Sequence, residues 1–134
     1  MKQIPGGVTA PKGFRAWGVH CGVKSKKADK KDLALIVADV RCTAAGMYTS
    51  NKVKGAPITV DKAHLTDGHA QAILVNSGNA NTCAANGIDL ANECCRLAAG
   101  ALGLKEEDIL PSSTGVIGQV LPMEPIQAGI PELV

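Results

Sequence analysis

The hydrophobic pattern divides the chain into apolar segments separated by polar turns. Residues 14–23 lean towards alternation and predict a half-buried strand, while residues 32–40 form a nearly continuous apolar run, typical of a central strand covered on both faces. Residues 71–75 have the same buried character. Weaker strand predictions are residues 43–49, residues 56–60 with an interruption at Pro57, and residues 109–110, where Pro111 to Gly115 break the strand.

Helical spacing is clearest over residues 88–102. The apolar positions there are mostly small, so the helix should pack unusually close to a sheet; they are Ala91, Cys94, Cys95, Ala98, Ala101 and Leu102. Gly103 follows where helices commonly end in a left-handed residue. Two shorter helical pieces are predicted at residues 61–69, ended by Gly68, and at residues 123–134, with Pro125 near the start and Pro131 as the stop.

The composition favours tightly layered α/β structure. The 134 residues are 46% hydrophobic, which suits one compact lobe over residues 1–134. Only three aromatic residues are present, against 19 alanines and 15 glycines, so large rings cannot dominate the core and layers can approach closely. We therefore expect an α/β fold with mixed sheets.

Charge and hydropathy exclude two classes of function. Fourteen basic and 12 acidic side chains give a net charge of +2, and three scattered rings cannot form a stacking platform, so no nucleic-acid surface is expected. The five lysines of residues 24–31 predict a solvated hairpin tip. The longest apolar stretch, residues 33–38, is far short of the roughly 20 residues that a membrane helix needs. Without a leader pattern at the N-terminus, we expect a cytoplasmic protein.

The cysteines and histidines do not predict a metal site. Five cysteines form no Cys-x-x-Cys pair, so reduced thiols are the simplest interpretation. The adjacent Cys94 and Cys95 diverge on a helix and are best explained as small buried hydrophobic residues. The histidine pair His64 and His69 is spaced by five and does not share a helical face. We expect no metal and no bound cofactor.

Two segments could carry chemistry. Residues 76–81, Asn-Ser-Gly-Asn-Ala-Asn, follow a strand and precede a helix, where α/β proteins place anion sites, but they lack the glycines and lysine of known phosphate loops. A structural turn is favoured there, with a non-catalytic anion-binding module using Asn76 to Asn81 as the alternative. In residues 112–118, Thr114 offers a hydroxyl and Gly115 an N–H whose missing side chain would let a substrate approach, two donors that could stabilise an oxyanion in acyl transfer.

An ordered set of motifs resembles the ornithine acetyltransferases, also called glutamate N-acetyltransferases, of arginine biosynthesis. The most specific are Val-Asn-Ser-Gly-Asn-Ala-Asn at 75–81 and Ser-Thr-Gly-Val-Ile-Gly at 113–118, with Leu-Pro-Met at 121–123. The others are Gly-Phe-Arg-Ala at 13–16, Asp-Leu-Ala-Leu-Ile-Val at 32–37, Thr-Ala-Ala-Gly at 43–46, and Asn-Lys-Val-Lys with Ala-Pro at 51–57.

The resemblance implies a multifunctional enzyme made as a precursor that cuts itself into an α and a β chain. The new N-terminal threonine of the β chain would take the acetyl group from N2-acetylornithine and pass it to glutamate. Thr114 and Gly115 match the family's oxyanion hole, and residues 76–81 would shape the turn behind it. The resemblance implies a four-layer α-β-β-α sandwich and an α2β2 heterotetramer, and it leaves acetyl-CoA open as a second donor.

This chain has no threonine after Thr114 and therefore lacks the family's nucleophile. We expect it to be the α-chain portion, inactive without the β chain; the alternatives are a truncated product without activity and a scaffold that completes another subunit's sheet. We also expect an apolar surface on this lobe that the β chain covers, because large bare apolar patches are rare on soluble monomers.

Overall fold

The computed structural model describes residues 5–25 and 30–134. Four strands and three α-helices are joined by loops and short 3-10 turns. In chain order they are β1 (Phe14–Val19), β2 (Leu33–Thr43), α1 (Ala56–His64), β3 (His69–Asn79), α2 (Gly87–Leu102), β4 (Ile109–Val116) and α3 (Met123–Gly129).

The strands form one mixed sheet in the order β1-β2-β3-β4. β1 and β2 are antiparallel, as are β2 and β3, whereas β3 and β4 are parallel. The α2 helix provides the crossover that a parallel pair requires. The predicted α/β class with a mixed sheet is confirmed.

The helices cover one face of this sheet. Alternate residues of β2 and β3 point towards them, including Leu33, Leu35 and Leu74, and pack in one core with α2 and α3. The residues between them belong to the opposite face, which we call the open face and which comprises Phe14, Ala34, Ile36, Ile73, Val75 and Leu110. Phe14 and Ile73 are each 37% exposed there. The prediction that β2 is covered on both faces is therefore wrong for the part of the chain described here.

The strand predicted over residues 56–60 is wrong, because these residues begin α1. Pro57 lies in the first turn of the helix, where the missing N–H has no intrahelical partner to lose and the fixed φ suits the helix. The helix continues to His64, a 3-10 turn follows at Leu65–Asp67, and Gly68 ends it with φ +72°. The predicted helical piece ending at Gly68 is thus part of a longer one.

The strand predicted over residues 43–49 is also wrong. Thr43 is the last residue of β2, and residues 44–50 have no regular secondary structure. A bulge between Val37 and Cys42 precedes this point, and Arg41 within it binds both Asp108, at 2.6 Å, and Asp67. Pairing with β3 resumes for only two residues after the bulge, so the sheet ends here.

The strand predicted at residues 109–110 is longer than expected. β4 continues through Pro111 to Val116, because β4 is an edge strand where a residue without an N–H is tolerated. The α2 prediction is confirmed, and Gly103 ends the helix with φ +68°, although Ala101 of its predicted buried side is exposed. β1 begins at Phe14 as predicted but ends at Val19, so residues 20–23 of the predicted strand are wrong. α3 ends at Gly129, and Pro131 lies in the 3-10 turn that follows it.

Within the described ranges, none of the helices is long and apolar enough to cross a membrane. All five cysteines are free thiols. Of the predicted lysine-rich hairpin tip, residues 26–29 lie outside the described residues.

Candidate active site

The carboxyl ends of the parallel strands β3 and β4 meet at one edge of the sheet. Ser77 pairs with Thr114, and Gly78 pairs with Gly115. Thr114 and Gly115, the two residues predicted to act as oxyanion donors, therefore lie among the last three pairs of the β3–β4 ladder, and both are exposed. This is the edge at which open α/β sheets generally bind their ligands.

Gly78 and Gly115 bring the two strands unusually close together. Both have positive φ values, +120° and +132°, which side chains rarely adopt. A Cβ built on Gly115 would lie only 2.6 Å from the carbonyl oxygen of Gly78 and from the amide nitrogen of Asn79. The sequence suggested that Gly115 lacks a side chain so that substrate can approach, but the structure gives a different reason, which is the approach of β3.

Two hydroxyl groups of β4 directly before Gly115 bind Asn76 of β3. Thr114 Oγ1 donates a long hydrogen bond of 3.4 Å to the backbone oxygen of Asn76, and Ser113 Oγ donates a short one of 2.6 Å to Asn76 Oδ1. The Thr114 hydroxyl is held weakly and is exposed, so a stronger acceptor could take its hydrogen bond. The Ser113 hydroxyl, in contrast, already donates its hydrogen bond to the buried Asn76.

The asparagines of residues 76–81 bind the backbone around the site. Asn76 Nδ2 donates to the carbonyl of Asn79, Asn79 Nδ2 donates to the carbonyls of Gln119 and Val120, and Asn81 Nδ2 donates to the carbonyl of Gly87. The Asn79 side chain also accepts a bond from the Asn81 amide at 2.8 Å. These side chains shape the loops, which agrees with the structural role favoured by the sequence.

The predicted turn at residues 76–81 is wrong in its position. β3 continues to Asn79, and the actual turn covers residues 80–86, with positive φ at Asn81, Cys83 and Asn86. A strand ran further than expected because its parallel partner β4 also ran further. The α2 helix begins at Gly87, whose carbonyl oxygen accepts the hydrogen bond from Asn81 Nδ2. The alternative of an anion-binding module at Asn76 to Asn81 stays a prediction.

The segment of residues 116–120, which is the last residue of β4 and the loop after it, directly follows the candidate donors. It is tied to the 80–86 turn by bonds from the Ala80 amide to Val116 and from the Gly118 amide to Thr82, at 2.9 and 2.8 Å. Its apolar side chains are exposed, and they are Val116, Ile117 and Val120. Asn79 holds this loop; the sequence singled out residues 76–81 as a turn but did not predict that the Asn79 side chain binds the backbone of residues 119 and 120.

A half-buried carboxyl group lies beside β4. Asp61 of α1 lines a cavity of about 260 Å³ together with Ser112 and Ser113. Its Oδ1 is buried without a hydrogen-bond partner, and burial raises the pKa of Asp61 to about 6, despite the opposing effect of His64. Across the described residues, no three His, Cys, Asp or Glu side chains are grouped to hold a metal ion.

A family model described as the ArgJ family matches residues 15–134. The chain belongs to the ArgJ family. It is 48% identical over 131 residues to the arginine biosynthesis bifunctional protein ArgJ of Symbiobacterium thermophilum, which covers 97% of this chain and 33% of that protein. A similar protein of Shouchella clausii is 46% identical over 136 residues, covering 99% of this chain and 33% of that protein.

Two solved structures have the same fold. The crystal structure of the ArgJ protein from Bacillus halodurans superposes with a TM-score of 0.90 at 42% identity, over 96% of this chain and 67% of that one. The ornithine acetyltransferase of Mycobacterium tuberculosis, solved in complex with ornithine, gives 0.85 at 36% identity, over 94% and 68%. The chain spans about a third of the length of the curated ArgJ relatives that it matches.

Proposed function

We propose that this chain is the α-chain portion of an ArgJ acetyltransferase that moves the acetyl group of N2-acetylornithine to glutamate. Thr114 and Gly115 serve as its oxyanion donors. The observation that supports this assignment is the placement of the Thr114–Gly115 peptide, which is exposed at the carboxyl edge of β3 and β4 and fixed there by the Gly78–Gly115 contact.

The chemistry requires two donors beside a reacting carbonyl. When the nucleophile attacks the acetyl group, negative charge develops on the carbonyl oxygen, and donors already in position stabilise it. The weakly bound Thr114 hydroxyl can turn to this oxygen, and the adjacent Gly115 amide supplies the second donor. A threonine at the N-terminus of the β chain would carry the acetyl group between the two substrates.

A partner chain is part of the proposal. The resemblance implies that the nucleophile is the N-terminal threonine of a β chain, and this chain spans only about a third of the length of its curated ArgJ relatives. The open face offers an apolar surface for the β chain, and the working enzyme is a cytoplasmic α2β2 heterotetramer built as a four-layer sandwich. No cofactor is needed, and acetyl-CoA would enter only as a second acetyl donor.

Replacing Thr114 in the complete enzyme tests this function. Thr114→Ala should lower kcat for acetyl transfer from N2-acetylornithine to glutamate by roughly 10² to 10³, which is the usual loss for one oxyanion donor. Thr114→Ser keeps the hydroxyl and is the matched control, for which we expect a decrease of at most a few-fold. Steady-state kinetics of the purified enzymes provide the measurement.

A normal kcat in Thr114→Ala would rule out this residue as a donor. Equal losses in the alanine and serine variants would also contradict the proposal, because they would show that the methyl group and not the hydroxyl is needed.

A further inference from the structure

Asp32 has a buried carboxyl group and lies directly before β2. It has no role in the acetyl transfer proposed above. Its side chain is fully buried, yet three backbone amides point at it. Cys21 N donates to Oδ1 at 2.7 Å, Lys24 N donates to Oδ2 at 2.9 Å, and Gly22 N donates to Oδ2 at 3.1 Å. Burial would raise the pKa of Asp32, but these amide donors outweigh it and hold the pKa below its usual value.

The segment that Asp32 holds, residues 21–24, lies against β3 at the candidate site. A Cβ on Gly78 would be 2.5 Å from Lys24 Cα and 2.8 Å from Lys24 N, so the Lys24 backbone rests on Gly78. Asp32 also binds β3 itself, because its backbone oxygen accepts a bond from the Ser77 amide at 2.9 Å. One residue thus fixes both partners of the Lys24–Gly78 contact.

Gly78 in turn contacts Gly115. The three backbones of Lys24, Gly78 and Gly115 form a stack without intervening side chains, and a shift of the first would be passed to the third. An oxyanion donor works only within a few tenths of an ångström of its place, and a displacement of about 1 Å can cost 10² in rate.

We propose that Asp32 is a positioning residue for the oxyanion hole: its carboxylate holds residues 21–24 against Gly78 and thereby sets the position of the Gly115 amide. This inference rests on the proposed function of Gly115. It differs from a purely structural role, which would lower stability without selectively lowering kcat.

The test replaces the carboxylate with its isosteric amide in the complete enzyme. Asp32→Asn exchanges one acceptor oxygen for an NH2 group that faces backbone N–H donors, so the segment should move. We expect kcat to fall by about 10-fold to 100-fold well below the melting temperature, with KM changed less than about two-fold. The control is Asp39→Asn, which replaces an exposed carboxyl group of β2 that pairs with Arg15 and should leave both constants unchanged.

A spectroscopic readout follows the Gly115 amide directly. Thr114–Gly115 is the only Thr-Gly pair in these 134 residues, so labelling threonine carbonyls with ¹³C and glycine amides with ¹⁵N selects its peptide bond within this lobe. Asp32→Asn should shift this signal, and Asp39→Asn should not.

A second pair of variants decides the matter if Asp32→Asn does not fold. Lys24→Pro removes the N–H that binds Asp32 Oδ2, whereas Lys24→Ala removes only the ammonium group and leaves that hydrogen bond. Lys24→Pro should reproduce the loss of kcat and the Gly115 shift, and Lys24→Ala should resemble the unmodified enzyme. A loss in Lys24→Ala equal to that in Lys24→Pro would contradict the inference, since it would assign the effect to the side chain.

The outcomes separate this inference from the proposed function. If Thr114→Ala loses activity while Asp32→Asn lowers only the melting temperature and leaves kcat and the Gly115 signal intact, the positioning role is wrong and the oxyanion assignment stands. If Thr114→Ala keeps its kcat, the proposed function itself fails, whatever the result at Asp32.

Discussion

Single residues explain why the candidate site has its shape, and Gly115 is the most constrained of them. The sequence correctly predicted that position 115 needs a glycine, but it gave the wrong reason, which was room for a substrate. Contacts between strands distant in sequence cannot be predicted from a Ser-Thr-Gly motif, because they depend on the register between β3 and β4. The sequence could nevertheless predict that Thr114 and Gly115 lie side by side, because they are neighbours in the chain.

We predict that Gly115→Ala destabilises the protein much more than Gly118→Ala. Both glycines have positive φ, so both variants strain the backbone by about 1 to 3 kcal/mol. Only at 115 does the new Cβ also overlap with β3, whereas nothing lies within 4 Å of a Cβ at 118. The overlap should add about 1 to 3 kcal/mol, measured as the difference in free energy of unfolding in urea. Equal losses would show that β3 and β4 are not in close contact.

Asp61 should make stability depend on pH. Its pKa of about 6 in the folded protein lies above its usual value of 3.8, so the folded state holds the proton more tightly. The free energy of unfolding contributed by this group therefore falls as pH rises from about 4 to about 6. Asp61→Asn should remove that fall. The gain in free energy of unfolding from the substitution should be about 2 kcal/mol larger at pH 7 than at pH 4, which is less than the full pKa shift would give because the carboxyl group is only half-buried.

The control for Asp61 is the exposed Asp89 in the first turn of α2. Asp89→Asn should not stabilise the protein at pH 7, since an acid there interacts favourably with the helix N-terminus. Chemical unfolding at pH 4, 5, 6 and 7 provides the comparison. An identical pH slope in Asp61→Asn and the unmodified protein would contradict the prediction.

At the scale of elements, secondary structure was predicted best where the hydrophobic repeat extends over many residues. The α2 helix shows sixteen residues of 3.6-residue spacing and a glycine at its end, and its bounds agree closely with the prediction. The α1 helix was mistaken for a strand because its nine residues contain β-branched side chains and Pro57, which the local pattern alone does not place at a helix start. Packing against α2 and β4, and not local preference, fixes α1 as a helix.

The small residues on the buried side of α2 predict a specific sensitivity to size. Ala98 is 1% exposed in the core, so Ala98→Leu should force the helix away from its neighbours and destabilise the protein by about 1 to 3 kcal/mol. Ala101 lies on the exposed side of the same helix, and Ala101→Leu should change stability by less than about 0.5 kcal/mol. Thermal unfolding of the two variants measures the difference, and an unchanged Ala98→Leu would show a loosely packed layer.

At the scale of the whole molecule, the sheet has one covered face and one open face. The apolar run of β2 correctly indicated a central strand, but the sequence could not show that only the side bearing Leu33 and Leu35 is covered by helices of this lobe. On the open face, a shallow apolar cavity of about 160 Å³ lies among Phe14, Ile36 and Ile73. Strands with apolar residues on both sides are typical of sheets buried between two layers.

We predict that a charge on the open face prevents assembly of the complete enzyme. Ile73 lies on the middle of β3, and Ile73→Glu would bury an unpaired carboxylate wherever a second layer covers this face, at a cost of several kcal/mol. The matched control is Ile88→Glu, which places the same charge on the exposed side of α2, where Ile88 is 47% exposed. Co-purification of the second chain and the mass of the complex in solution are the measurements. Because the two variants differ only in the layer that receives the charge, loss of the second chain in Ile73→Glu alone would identify the open face as its binding surface. Retention of an intact complex in both variants would contradict this and would leave the sheet open in the working enzyme.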